Sequence, residues 1–273
     1  MAGISPKIAP LRVPVTFDVR PWLFDHTLAG RAVLPMVEIL LLLAAETKKR
    51  FPQANVCSMK DGRFVRFLVI PSGAAFLPLT IELGTSGGGS ITAILLQKKV
   101  LPAMTRMVEY ARVVFSGRPE REKDHPSVEQ TLFSATASMD ADEVYGRYTS
   151  FGPAYQNLQG PLTMNDREVR ARVRAPVMER RCPGTELIGS PFPLDGAMHA
   201  AAVFGRQRLG CIPLPVGFSG RVVHLPTRPG EVYTVRAALL GDDGGRLSFD
   251  LVLADEQGRV CEEITGLLMR EIV

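Results

Sequence analysis

The chain has 273 residues, four cysteines, four histidines and a formal net charge of +4. Its hydrophobic fraction of 46% and charged fraction of 22% are ordinary for a globular fold and exclude a disordered chain, a coiled coil and a fibrous repeat. At about 150 residues per domain, the length fits two domains or one domain with a doubled core.

After a polar, Pro-rich lead, the first strong signal is a helix. Pro35 suits a helix start, because its missing N–H costs nothing there. Val37, Leu40, Leu41 and Ala44 follow at helical spacing, and Lys48, Lys49 and Arg50 suit the negative end of the dipole. Pro52 ends the pattern. Ile39 to Leu43 is apolar all round, which predicts a helix buried on most sides. The apolar run Ile39 to Ala45 is bounded by Glu38 and Glu46, well short of the ~20 residues of a membrane span.

Strands are expected next, at Arg63–Ile70, Leu77–Leu83, Ser90–Gln97 and Arg106–Phe115, punctuated by Gly and Pro. One long helix followed by antiparallel strands is an α+β pattern. Gly117 to Gln130 is charged and nearly free of apolar side chains, and reads as a linker. The second half repeats the plan. Val169, Ala171 and Val173 alternate with charges in Glu168–Arg174, a half-buried strand. A second helix is expected from Pro193 through Asp195, His199, Ala202 and Val203 to Gly205 or Gly210. Strands follow at Glu231–Leu239, Arg246–Ala254 and Arg259–Met269. The expected divisions are 1–117, a linker at 118–130, and 131–273.

Cys57, Cys182, Cys211 and Cys261 have neither zinc-site nor disulfide-framework spacing, so reduced thiols in a cytoplasmic protein are expected, with no metal. Met1 to Arg20 lacks the apolar stretch of a signal peptide. The basic residues are scattered and not interleaved with aromatics, which argues against nucleic acid. Gly84 to Ser90 lacks the Lys-Ser/Thr ending of a phosphate loop and precedes a strand, so it reads as a hairpin turn.

Among the histidines, His125 falls in the linker and His224 in an apparent strand, both ordinary surroundings. His26 and His199 border the two core helices. Gly30 allows a turn after His26 that other residues resist, and the positive end of the following helix favours a neutral, basic imidazole. Asp195 and His199 are four apart and share a helix face. Leu194, Ala197 and Met198 surround Asp195, so burial is expected to raise its pKa and make it an acid.

His26, Gly30 and Pro35 resemble the His-x-x-x-Gly-x-x-x-x-Pro motif of polyketide synthase dehydratase domains. Gly152 to Leu158 matches their Gly-Pro-x-Tyr-x-x-Leu motif, Asp195 with His199 their Asp-x-x-x-Gln/His motif, and Leu214-Pro215 the start of their Leu-Pro-Phe-x-Trp segment. The resemblance implies a double hot dog, two antiparallel sheets each wrapped around a central helix. It implies dehydration of β-hydroxyacyl groups carried on the phosphopantetheine arm of acyl carrier protein, without a cofactor. His26 is then the base and Asp195 the acid. The Gly30 N–H holds the thioester carbonyl, His199 positions Asp195, and Tyr155 supports the site. Phe151 and Phe218, which replace the family's Tyr and Trp, are expected beside the acyl tunnel with Leu214 and Pro215. Implied partners are carrier protein, ketosynthase, ketoreductase and a second copy of the chain, with no membrane. Carrier docking is expected on a basic surface that includes Arg170, Arg172 and Arg174. A double-bond isomerase, a product-template cyclase and a non-catalytic scaffold remain alternatives of the same fold.

Overall fold

A computed structural model describes residues 9–101, 104–117, 133–179 and 182–271. The first half contributes β1 (Leu11–Asp18), a small hairpin of β2 (Thr27–Leu28) and β3 (Arg31–Ala32), and helix α1 (Met36–Arg50). The strands β4 (Asn55–Phe64), β5 (Phe76–Thr85), β6 (Ile91–Leu101) and β7 (Met104–Ser116) follow. The second half contributes β8 (Ala137–Asp140), the single turn α2 (Ala141–Glu143), β9 (Leu158–Met164), β10 (Glu168–Arg174), the short α3 (Thr185–Ile188) and helix α4 (Pro191–Leu209). It ends with β11 (Leu214–Val223), β12 (Val232–Asp243), β13 (Arg246–Ala254) and β14 (Val260–Arg270).

The expected double hot dog is present, and its two sheets are continuous. The strand order is β1-β5-β6-β7-β4-β11-β14-β13-β12-β10-β9-β8, a twelve-stranded sheet. The halves meet where β4 pairs antiparallel with β11, Met59 opposite Arg221 and Arg63 opposite Gly217. The first-half strands pack on α1, the second-half strands on α4, and the two helices pack on each other. Both helices are therefore covered on nearly every side. Ile39, Leu40, Leu41 and Leu43 are buried in α1, and every residue from Pro191 to Gly205 is buried in α4.

Several boundaries differ from the expectation for identifiable reasons. The lead is strand β1, with Val13 and Phe17 buried; its Pro14 is tolerated because β1 is an edge strand. The strand expected at Arg63–Ile70 lies instead at Asn55–Phe64. Residues after it run irregularly, tied down by a bridge between Val33 and Val69 and a bond from Leu34 N to Leu68 O of 2.8 Å. Pro35 caps α1 rather than starting it, and α4 begins two residues early, at Pro191. The expected linker and His125 lie outside the described residues. The four cysteines are free thiols. Among the described residues, no helix is long and apolar enough to cross a membrane.

Arg20 and Glu38 are 5% and 1% exposed and lie 3.6 Å apart, charge on charge. Removing one member of a buried pair leaves the other uncompensated, at a cost of about 3–5 kcal/mol. Glu38→Ala is therefore expected to lose that much stability in denaturant unfolding; an unchanged midpoint would show that the pair contributes nothing.

Candidate active site

The site is built from the residues that follow a short 3-10 turn, Pro21–Asp25. His26 leads into the β2–β3 hairpin, whose two turn residues, Ala29 and Gly30, have φ of 49° and 72°. Two consecutive positive φ values are the signature of the tight turn that matches strand twist, and glycine adopts the second without steric cost. The hairpin folds the chain back so that Val33 N donates to His26 O at 2.9 Å. The ring is also fixed: His26 Nδ1 lies 3.0 Å from Val33 O. A carbonyl only accepts, so Nδ1 carries the proton and Nε2 is left as a bare base. Burial holds this imidazole below its ordinary pKa, against the opposing pull of Asp195. The direction matches the sequence expectation, but desolvation supplies it rather than a helix dipole.

Asp195 and His199 project from the first turns of α4. His26 Nε2 lies 3.9 Å from Asp195 Oδ1, and His199 Nε2 lies 3.1 Å from Asp195 Oδ2. Tyr145 sets the His199 tautomer. Its hydroxyl accepts from Leu158 N at 3.0 Å and so donates its own proton to His199 Nδ1, 3.3 Å away. His199 Nε2 then carries a proton and lies 3.1 Å from Asp195 Oδ2, although not in hydrogen-bond alignment with it. Burial pushes the Tyr145 phenol well above its usual pKa, so it remains a donor.

The expectation that Asp195 has a raised pKa is corrected here. Burial does push it up, but His199 and His26 outweigh burial and hold the carboxyl below its ordinary range. The sequence shows the apolar neighbours along α4; it does not show two imidazoles converging on both carboxylate oxygens.

A cavity of about 390 Å³ opens onto these groups. Phe151, Leu214 and Pro215 line it, joined by Met36, Phe64 and Met198 from the apolar faces around it. Phe218 does not line it. Its ring sits against Gly62, where an added Cβ would come within 2.4 Å, and tilts against Phe64 at 6.3 Å. It supports the wall from behind. Gly30 also lies outside the lining, at the exposed hairpin tip, while Leu28 and Ala29 reach it. Pro35 is buried as the cap of α1. Tyr155 is fully buried behind the site, its ring edge-on to His26 at 5.0 Å.

The segment before Tyr155 is clamped onto the His26 segment across the two halves. Gly152 N donates to Asp25 O at 2.7 Å and Ala154 N to Asp25 Oδ2 at 2.9 Å. Thr27 Oγ1 donates to Ser150 O at 2.5 Å. Gly152 is required, since a Cβ there would meet Asp25 at 2.5 Å. Asp25 and Tyr145 have no sequence signal beyond their neighbourhood, because their partners lie more than a hundred or a dozen residues away. The β10 arginines are not a bare basic face: Arg170 pairs with Glu168 at 2.8 Å and Arg172 with Glu256 at 3.7 Å.

Comparison with known proteins agrees with this architecture. The sequence model described as the polyketide synthase dehydratase N-terminal domain matches residues 123–273, a range that includes Asp195 and His199 but not His26. The chain is 27% identical to polyketide synthase ThaG of Burkholderia thailandensis, over 95% of this chain and 4% of that protein. It is 24% identical to a phenolphthiocerol/phthiocerol polyketide synthase of Mycobacterium tuberculosis, over 93% of this chain and 14% of that protein. The chain thus spans a small part of these relatives. In fold it is similar to the dehydratase domain of a mycocerosic acid synthase-like synthase, with a TM-score of 0.75, 18% identity and coverage of 99% and 98% of the two chains. It is similar also to the dehydratase domain of the CurF module of curacin synthase, with a TM-score of 0.74, 16% identity and coverage of 98% and 95%.

Proposed function

We propose, from the premise that this chain belongs to the polyketide synthase dehydratase family, that His26 and Asp195 together remove water from a β-hydroxyacyl thioester. The substrate enters the cavity on the phosphopantetheine arm of a carrier protein. The observation that carries this reading is the bare Nε2 of His26 facing Asp195 Oδ1 across 3.9 Å at the floor of an apolar cavity. One half of the fold supplies the base and the other half the acid.

His26 Nε2 takes the α-proton, and the electron pair left on the α-carbon forms the double bond as the β C–O bond breaks. The departing oxygen takes the proton of Asp195 and leaves as water. Imidazolium and carboxylate remain side by side, and one proton passing from His26 to Asp195 restores the starting state. Each positioned proton transfer is worth roughly 10²–10⁴-fold. The protonated carboxyl is the minority form at neutral pH, because both imidazoles favour the anion. The titration therefore belongs to the cluster rather than to one residue.

Two outcomes follow. The active form holds one proton over His26 and Asp195, so the pH profile of kcat/KM is expected to be bell-shaped, falling on the acid side as the pair gains a second proton and on the alkaline side as it loses the one it holds; a rate still climbing on the alkaline side would remove Asp195 as the acid. His199→Gln keeps a donor facing Asp195 and is expected to retain much of the rate in a carrier-bound assay, whereas a loss as large as that of the base or acid variants would make His199 the proton donor.

A further inference from the structure

We propose that Phe151 is a positioning residue whose ring separates and aligns the two imidazoles so that both Nε2 atoms converge on Asp195. The geometry is a three-ring stack. Phe151 lies 4.8 Å from the His26 ring at an interplanar angle of 16° and 4.5 Å from the His199 ring at 20°. Both imidazoles thus stack nearly parallel to the phenyl group. Beyond the stack, the two Nε2 atoms reach different oxygens of the same carboxylate, at 3.9 Å and 3.1 Å.

A flat apolar wedge does two things here. It excludes water and any direct hydrogen bond between the imidazoles, so that Asp195 is the only group among the described residues that bridges them. It also fixes ring planes that a flexible aliphatic side chain would leave free. The wedge itself cannot drift, because Gly152 N and Ala154 N are bonded to Asp25, immediately before His26. Gln156 Nε2 holds the Phe151 carbonyl at 2.8 Å. The titratable groups that face His26 are Asp195 and His199 from α4 and Tyr155 from the turn at Pro153–Tyr155; those that face His199 are Asp195 and Tyr145.

The inference rests on the dehydratase reading for its kinetic arm, and a second arm is independent of it. Phe151→Leu, Phe151→Met and Phe151→Tyr are compared by kcat and KM on a β-hydroxyacyl carrier thioester and by NMR titration of the His26 and His199 ring protons. Misplacing a reacting group by about 1 Å costs about 10²-fold, so leucine is expected to lower kcat by that order with KM changed only a few-fold. The His26 titration is expected to move up toward the ordinary imidazole range as water reaches its face. Tyrosine, which keeps the stack, is expected to restore both. Should leucine disturb the fold, methionine keeps the volume without the flat face. A rise in KM at constant kcat, or imidazoles that titrate as in the parent protein, would reduce Phe151 to a cavity wall and overturn the proposal. A parent protein without dehydratase activity would overturn the proposed function instead, while the NMR titration would still decide the stack.

Discussion

Replacing His26 with alanine is expected to abolish dehydration in a protein that still folds. The ring sits at the cavity, with only 15% of its side chain exposed, and its one fixed hydrogen bond is to the Val33 carbonyl. Water entering the cavity can take over that bond, so the fold loses little. The reaction loses its base. No other bare nitrogen faces the cavity among the described residues, since His199 Nε2 is turned to Asp195 and its Nδ1 to Tyr145. A loss of about 10²–10⁴-fold is the expected size for a positioned base. A His26→Ala protein with native circular dichroism and substantial turnover would remove His26 from that role.

Asp195→Asn carries the second large effect. The amide keeps the shape of the carboxyl in a pocket where the side chain is only 5% exposed, so packing is retained. It has no transferable proton for the departing hydroxyl, and it removes the negative charge that the two imidazoles share. The expected loss is again about 10²–10⁴-fold in kcat. A mild Asp195→Asn variant beside a severe His199→Gln variant would exchange the roles and make His199 the acid.

Much of this architecture is legible in the sequence, and the parts that are not share a cause. The two helices announce themselves through prolines at their starts and mostly apolar sequence, unbroken from Ile39 to Ala45 in α1 and interrupted in α4 by Asp195 and His199, because a helix enclosed by a curled sheet must be apolar nearly all round. Strands such as β10 and β13, half-buried and alternating, have the bounds that their periodicity predicts. The periodicity misplaces β4 because this strand sits at the seam between the halves. There Asn55, Ser58, Lys60 and Asp61 break the alternation, and pairing with β7 and β11 supplies what its own side chains do not. β1 escapes the pattern because Pro14 reads as a breaker unless the strand is known to lie at an edge.

The site divides in the same way. His26, Asp195 and His199 stand out by residue type and spacing, and the fold brings them together from opposite halves. The direction of the Asp195 titration is misread when the apolar neighbours are given more weight than His199, four residues on, whose charge and close N–H contact are the largest downward pulls; His26, more than 150 residues upstream, adds a smaller one that no helix window shows. The segment that holds Phe218 suggests a place in the tunnel. In the fold it is one layer behind the wall, because β11 is irregular between Pro215 and Gly217, which breaks the alternation that would put Phe218 on the face of Leu214; Leu214 and Pro215 line the cavity while the Phe218 ring sits against Gly62 of β4. Tyr145, Asp25 and the stacking of Phe151 against two imidazoles depend on contacts that only the closed fold creates.

Dehydration of a carrier-bound β-hydroxyacyl thioester by the two halves together is tested most directly by mass. The protein is incubated with a β-hydroxyacyl carrier-protein thioester and the intact acyl-carrier mass is followed, with the His26→Ala and Asp195→Asn proteins alongside. The expected result is the loss of one water to give the α,β-unsaturated thioester with the parent protein, and an unchanged mass with either variant. An unchanged mass with the parent protein across a panel of acyl chain lengths, or equal water loss from the parent and both variants, would contradict it.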